Sequence, residues 1–206
     1  AKEIVITNPQ MVCDSIDVIE VFPKELFAPT DEFLAEQGVP SIKVKVESMV
    51  RSKATELYGD PLPTIIKKRL EQELDSIIKN QFSTIYYISH LLVKKSLDDG
   101  YLVGSRGSVG SSFVATLMNI TEVNPLPPHY VCQKCHFTAF KKTDEEKKMG
   151  MNDFEKLNEK LLDRTESGLD LPNQNCPICG TQMKKDGHDI PFETFLGFKG
   201  DKVPDI

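Results

Sequence analysis

The run Tyr101-Leu102-Val103-Gly104-Ser105-Arg106-Gly107-Ser108-Val109-Gly110-Ser111-Ser112 decides how this chain is read. Three β-prone residues lead into glycines that free the backbone, and an apolar stretch with Phe113 and Leu117 follows. The pattern predicts a short strand at 101–103, a tight turn at 104–108 and a helix from about Val109 to Met118. Such a unit gathers backbone N–H groups, hydroxyls and a helix dipole at one point, with Arg106 beside them. That chemistry suits phosphate, because a guanidinium next to a cluster of N–H donors is costly until an anion arrives. The plainer alternative is a Gly/Ser helix start that packs closely against a strand. Neither the Walker pattern nor the dinucleotide G-x-G-x-x-G is present: no Gly-Lys-Ser/Thr follows, and the glycines fall at 104, 107 and 110.

Upstream, Tyr58-Gly59-Asp60-Pro61-Leu62-Pro63 reads as a rigid turn feeding a helix. Ile66, Leu70, Leu74 and Ile77-Ile78 recur there at three- to four-residue spacing. Ser83 is placed to cap a second helix, which Asp98-Asp99-Gly100 stops. Ser41 to about Leu57 is helix-compatible and weakly amphipathic. Before it, Pro23, Pro29, Gly38 and Pro40 punctuate an acidic connector, preceded by an extended Ile19–Phe22. Glu3 to Ile6 is expected to form a short buried strand. A helix with Pro9 at its start should follow to about Ile16, with Cys13 as a core residue.

Downstream, Asn124-Pro125-Leu126-Pro127-Pro128 breaks the pattern. Cys132-x-x-Cys135 and Cys176-x-x-Cys179 follow, using four of the five cysteines. Each pair is a short knuckle that can offer two thiolates to one tetrahedral ion, and Pro177 and Gly180 are turn residues suited to it. Two disulfides need an oxidising compartment for which nothing argues, and a redox C-x-x-C does not require a second copy. The preferred reading is a structural zinc clasp with no open coordination position. His129 and His136 lie nearby as possible substitutes. The polar insert contains a capped helix: Asn152 with Glu155 three residues on, then Leu157, Leu161 and Leu162. From Pro191 the chain turns strand-like through Phe192, Phe195, Leu196 and Phe198 to Val203-Pro204-Asp205-Ile206.

The 206 residues carry 25 Lys plus Arg against 31 Asp plus Glu, a net charge of −6, where a dedicated nucleic-acid-binding domain is usually basic. The acidity is uneven, with 6 basic and 10 acidic residues up to position 57 and 19 and 21 thereafter. The larger part is therefore close to neutral. The longest apolar-rich stretch, Thr84–Val93, is too short to span a bilayer. No charged-then-apolar leader opens the chain, so the expected location is cytoplasmic, without a membrane partner.

Taken in order, Tyr58–Pro63, Gly104–Ser108, Asn124-Pro125-Leu126-Pro127-Pro128-His129-Tyr130, the paired cysteines and Gly200-Asp201-Lys202-Val203-Pro204-Asp205-Ile206 resemble the PolC-type catalytic alpha subunits of bacterial replicative DNA polymerase III. These are C-family DNA polymerases of low-GC Gram-positive bacteria. The resemblance covers essentially the whole chain. It implies an α+β (mixed α/β) fold: a polymerase-beta-like nucleotidyltransferase palm fragment with a four-cysteine zinc-binding insertion, preceded by the tail of a PHP domain. Residues 1–50 then correspond to the end of the PHP domain and a connector, and 51–206 to the first half of the palm. The insertion falls at about 129–189.

By the same resemblance, Gly104, Ser105, Arg106, Gly107 and Ser108 bind the incoming triphosphate, and Asp205 is the first magnesium-binding aspartate. Cys132, Cys135, Cys176 and Cys179 hold structural zinc. The implied partners are primer-template DNA, deoxynucleoside triphosphates, the rest of the polymerase chain and replisome subunits such as the sliding clamp. The family's second aspartate comes two residues after the first, beyond residue 206, so the expectation is half an active site and a fragment inactive alone. The segment from about Lys141 to Asp170 looks longer than the family pattern. Another reading is a stand-alone zinc ribbon that binds nucleic acid or a partner subunit through Lys67-Lys68-Arg69 and Lys184-Lys185, although those patches also suit an ordinary solvated face. A nucleotidyltransferase of another class with the same turn is the third.

Overall fold

A computed structural model of the chain describes residues 2–16, 32, 35, 38, 41–105 and 107–192. Arg106, Asp205, the connector strand at Ile19–Phe22 and the strand-like run after Phe192 lie outside the described residues.

The described chain is α+β. Helix α1 is Asn8–Asp14, entered through one wide turn at Glu3–Thr7, and α2 is Ile42–Tyr58. Then come α3 at Thr64–Lys79 and α4 at Ser83–Asp98, a 3-10 turn at Gly107–Ser111, and α5 at Phe113–Leu117. Strands β1 (His129–Val131) and β2 (Thr138–Phe140) precede helices α6 (Asp144–Met149) and α7 (Asp153–Arg164). Strand β3 (Lys184–Asp186) closes an antiparallel sheet of order β2-β1-β3.

The main core is a set of helical stripes. Ile42, Val46, Val50, Ala54 and Tyr58 recur every four residues along α2, and all are buried. Ile66, Leu70, Leu74 and Ile77 do the same on α3. Helix α2 packs on α4 and α5, and α3 packs on α5, so Phe113, Val114 and Leu117 fill the space between stripes. A smaller core of Tyr130, Ala139, Leu162, Leu171 and Met183 surrounds the cysteines. Asn152 caps α7 in a reciprocal box with Glu155, as the spacing predicted. Glu155 also accepts the Phe140 N–H at 3.1 Å and the Lys142 ammonium at 2.8 Å, which ties α7 to the edge of β2. A second box, Thr143 with Glu146, starts α6.

Several sequence expectations are corrected. Residues 3–6 are helical and exposed, because a strand needs a neighbour and no described segment supplies one, whereas a helix pairs its own backbone. Cys13 is exposed on that helix instead of buried. Residues 101–103 form no strand, for the same lack of a partner, and Leu102 is 98% exposed. The single helix expected over 109–118 is broken at Ser112 into a 3-10 turn and α5. Ser83 is the first residue of α4 and not its cap, and its buried hydroxyl has no hydrogen-bond partner among the described residues. Leu157 is exposed, and Phe154 takes its place against Tyr130 and Phe137.

The proline-rich break at 124–128 is a junction between the two cores. The Asn124 amide donates to the Tyr58 hydroxyl at 3.1 Å, and the Asn124, Pro125 and Leu126 carbonyls accept N–H groups from His188, Ile190 and Asp189 at 3.0 Å. Gly187 is required there, since a Cβ on it would lie 2.3 Å from the Pro127 carbonyl oxygen. His129 is fully buried, stacked on Phe140 with ring centroids 4.5 Å apart. Its Nδ1 lies 2.8 Å from the Pro127 carbonyl and its Nε2 3.3 Å from the Tyr58 hydroxyl. This places the proton on Nδ1 and leaves Nε2 to accept.

Burial lowers the His129 pKa to about 4 from an ordinary 6.5. The unfolded chain therefore takes up this proton near 6.5 and the folded chain only near 4, so stability is complete above 6.5 and is lost as pH falls toward 4. The loss from this one ring should approach about 3 kcal/mol. Urea denaturation between pH 7 and 4.5 should show the decline, and His129→Gln should flatten it. An undiminished slope in that variant would place the titration elsewhere.

Candidate metal centre and nucleotide-binding turn

The two cysteine knuckles fold alike. The Cys132 N–H donates to the Phe137 carbonyl and the His136 N–H to the Cys132 carbonyl, both at 2.8 Å. In the second knuckle, the Cys176 N–H donates to Thr181 at 2.8 Å and the Gly180 N–H to Cys176 at 2.9 Å. The fourth residue after the leading cysteine takes positive φ in each, 57° at His136 and 73° at Gly180. His136 thus does in one knuckle what glycine does in the other, and its ring turns away to Leu57. Neither His136 nor the buried His129 enters the sulfur cluster.

All four Sγ atoms lie within 4.8 Å of one another. Cys132 and Cys179 are 3.4 Å apart, and Cys135 and Cys176 are 3.5 Å apart. Those distances are far beyond a disulfide bond of about 2.05 Å. They are close to the edge of roughly 3.8 Å for a tetrahedron with metal–sulfur bonds of about 2.3 Å. The donor set fits one tetrahedral soft cation with no position left for water. Hydrogen bonds from the Thr181 hydroxyl and backbone hold the Cys179 thiol down at about 6. Cys135 is favoured as thiolate by the Phe137 N–H, yet desolvation and the neighbouring sulfurs push it up to about 12. Four thiols this close share their protons unequally until a cation replaces them.

The Gly-Ser turn is partly described. Gly104 is open to solvent, and Gly107 takes φ of +80° with open space around its α-carbon, so the backbone there is free to approach a ligand. The Ser105 hydroxyl is 2.7 Å from Thr121 Oγ1 and 2.5 Å from the Glu122 carboxylate. That bond is the main reason Glu122 is held below the usual carboxylate range. The Ser108 carbonyl accepts the Ser111 hydroxyl at 2.8 Å. Arg106 and Asp205, the other two elements of the expected site, lie outside the described residues.

One part of the expected arrangement changes. The amino end of α5 is not open to a ligand, because it already holds an anion of the protein's own. Glu73 is fully buried and accepts the Phe113 and Val114 N–H groups and the Ser112 hydroxyl, each at 3.0 Å. Its other partner is Arg69, at 2.5 Å. Burial raises the Glu73 pKa, and the Arg69 guanidinium and the Val114 and Phe113 N–H groups oppose that rise. The donors of the turn that Glu73 does not engage are those of the 3-10 backbone at Gly107–Ser111, whose leading N–H groups have no acceptor within a turn of this kind, and the serine hydroxyls. Arg69, expected on a solvated basic face, is instead largely enclosed. Neither Glu73 nor Glu122 was singled out from sequence. Glu73 lies on the apolar side of α3, one residue before Leu74, and that is the only signal that could have marked it.

Removing the metal should act locally. Chelation of zinc-loaded chain should speed hydrogen exchange over residues 129–189 while the α2–α3 core keeps its protection. Metal analysis should find one zinc per chain, falling sharply in Cys176→Ser. A fully protected insert after complete zinc removal would overturn the clasp.

The family model described as the bacterial DNA polymerase III alpha NTPase domain matches residues 44–206. The chain is 55% identical over all 206 residues to the protein named DNA polymerase III PolC-type of Halalkalibacterium halodurans. It is 53% identical to that of Bacillus subtilis and 48% identical to that of Thermotoga maritima, again over its full length. It spans 12%, 12% and 13% of those three proteins. A model match that takes in the Gly-Ser turn and both knuckles, with close identity along the whole sequence, gives one assignment: the chain belongs to the PolC-type DNA polymerase III family.

Proposed function

We propose that this chain is the triphosphate-holding portion of a replicative DNA polymerase, an enzyme that transfers deoxynucleotides to a primer 3′ end under template direction. The observation that carries this is 48–55% identity along all 206 residues to polymerases of the PolC type, together with the family match over 44–206. Residues 1–50 are then the end of a PHP domain and its connector. Residues 51–206 form the first half of a polymerase-beta-like palm, with a zinc insertion at 129–189. The boundary falls within the continuous helix α2.

In this reading the backbone N–H groups at Gly104, Ser105, Gly107 and Ser108 and the Arg106 guanidinium neutralise the triphosphate. Phosphoryl transfer needs little covalent help from the protein, so positioning and charge compensation dominate. The Ser105 hydroxyl exchanges its bond to Glu122 for one to a phosphate oxygen. Asp205 is a ligand for magnesium, which when bound lowers the pKa of the primer hydroxyl and steadies the departing pyrophosphate. A second carboxylate, two positions on in the family pattern, completes that pair. The four cysteines hold zinc as a structural ion. The partners are primer-template DNA, deoxynucleoside triphosphates, the rest of the polymerase chain and replisome subunits such as the sliding clamp. The setting is the cytoplasm, in keeping with the absence among the described residues of a helix long and apolar enough to cross a membrane.

In the full-length polymerase, Asp205→Ala should abolish primer extension while primer-template affinity persists, measured by steady-state extension and by DNA titration. Arg106→Ala should raise the KM for deoxynucleoside triphosphate. The 206-residue chain alone should extend no primer. Retained synthesis in the Asp205 variant, or extension by the isolated chain, would contradict the assignment.

A further inference from the structure

The Arg69–Glu73 pair does more than a five-residue helix requires. Ser112 already caps α5, its Oγ accepting the Ala115 N–H at 3.2 Å, and the Tyr86 hydroxyl donates to the same oxygen at 3.0 Å. Glu73 adds three bonds over residues 112–114, immediately after the Gly-Ser turn. Arg69 then reaches in two further directions with one nitrogen. Its Nη2 donates to the Ser111 carbonyl at 2.6 Å and to the Ile190 carbonyl at 3.0 Å. Its guanidinium carbon lies 5.8 Å over the Phe192 ring. A single enclosed cation thus joins the exit of the turn at 111 to residues 190–192, thirteen positions before Asp205.

We propose that Arg69 and Glu73 are positioning residues for nucleotide binding: they set the Gly-Ser turn relative to residues 190–192. The proposal rests on the triphosphate reading above. Its physical basis is that a guanidinium offers several donors at fixed angles from one plane, so it can hold two carbonyls and a carboxylate at once. A lysine ammonium is a single point that cannot span them. Neither side chain is required to touch the nucleotide. A shift of the turn by a fraction of an ångström weakens each donor to the triphosphate.

The test is steady-state primer extension by the full-length polymerase with varied deoxynucleoside triphosphate, for Arg69→Lys, Glu73→Gln and Ser112→Ala, beside Arg106→Ala. The expected result is a rise in KM of about tenfold in Arg69→Lys and Glu73→Gln, with a smaller change in kcat and unchanged zinc content and primer-template affinity. A purely structural pair would lower the folded fraction, and so kcat, without moving KM. Unchanged KM in the Arg69 and Glu73 variants beside a raised KM in Arg106→Ala overturns this inference alone. Unchanged KM in Arg106→Ala overturns the triphosphate reading and this inference with it. If Glu73→Gln does not fold, Arg69→Lys and Ser112→Ala decide the matter: a rise in KM supports the brace and an unchanged one rejects it.

Discussion

Glu73 holds a charge in a place where water cannot reach it, and the surrounding architecture answers that demand. Its carboxylate is met by Arg69 on its own helix, by the Ser112 hydroxyl and by two N–H groups at the start of α5. A buried ion pair adds little net stability, because desolvation cancels much of its attraction, but removing either partner strands a charge at a cost of about 3–5 kcal/mol. The pair therefore acts as a constraint on geometry more than as a source of stability. It halts the 3-10 turn at Ser111, starts α5 at Phe113, and with α5 orients the apolar side chains between α2 and α3. The carbonyls that Arg69 takes up at 111 and 190 extend the constraint from the Gly-Ser turn to the segment that follows the four-cysteine module.

The four-cysteine module is held by a different kind of constraint. Forty residues separate the two cysteine pairs, and the chain between them has only a thin core of its own. Closing so long a loop is costly in entropy, and the gathering of four sulfurs within 4.8 Å of one another is the arrangement by which a bound cation would offset that cost. The module joins the helical core through Leu126, Val131 and Phe140, and through the buried chain of Asn124, Tyr58 and His129. These contacts are why the proline-rich break at 124–128, which looks like a simple interruption in sequence, is in fact a packed junction.

Much of this was legible beforehand, for identifiable reasons. Helices 42–58, 64–79 and 83–98 follow from apolar spacing and stop signals carried within each segment. The Asn152–Glu155 box and the four-cysteine set are also local patterns. The errors share a cause as well. Glu3–Ile6 and Tyr101–Val103 have strand-like composition, yet a strand exists only through its neighbour, and no described segment pairs with either. The break at Ser112 depends on a carboxylate thirty-nine residues earlier. Arg69 resembles its lysine neighbours in sequence and differs from them only by what it meets in space.

The sequence by itself determined the helical stripes, the four-cysteine set and the likeness to a replicative polymerase, because each is written in residues close together or in motifs of fixed order. Only the tertiary structure decided that the amino end of α5 is filled by Glu73, that Ser105 faces Glu122, that His129 is locked in a neutral form and that Arg69 links the turn to residues 190–192. Those outcomes depend on which groups share a water-free volume. Composition and spacing do not set that, because it arises when distant segments pack and each buried charge or donor must find a partner.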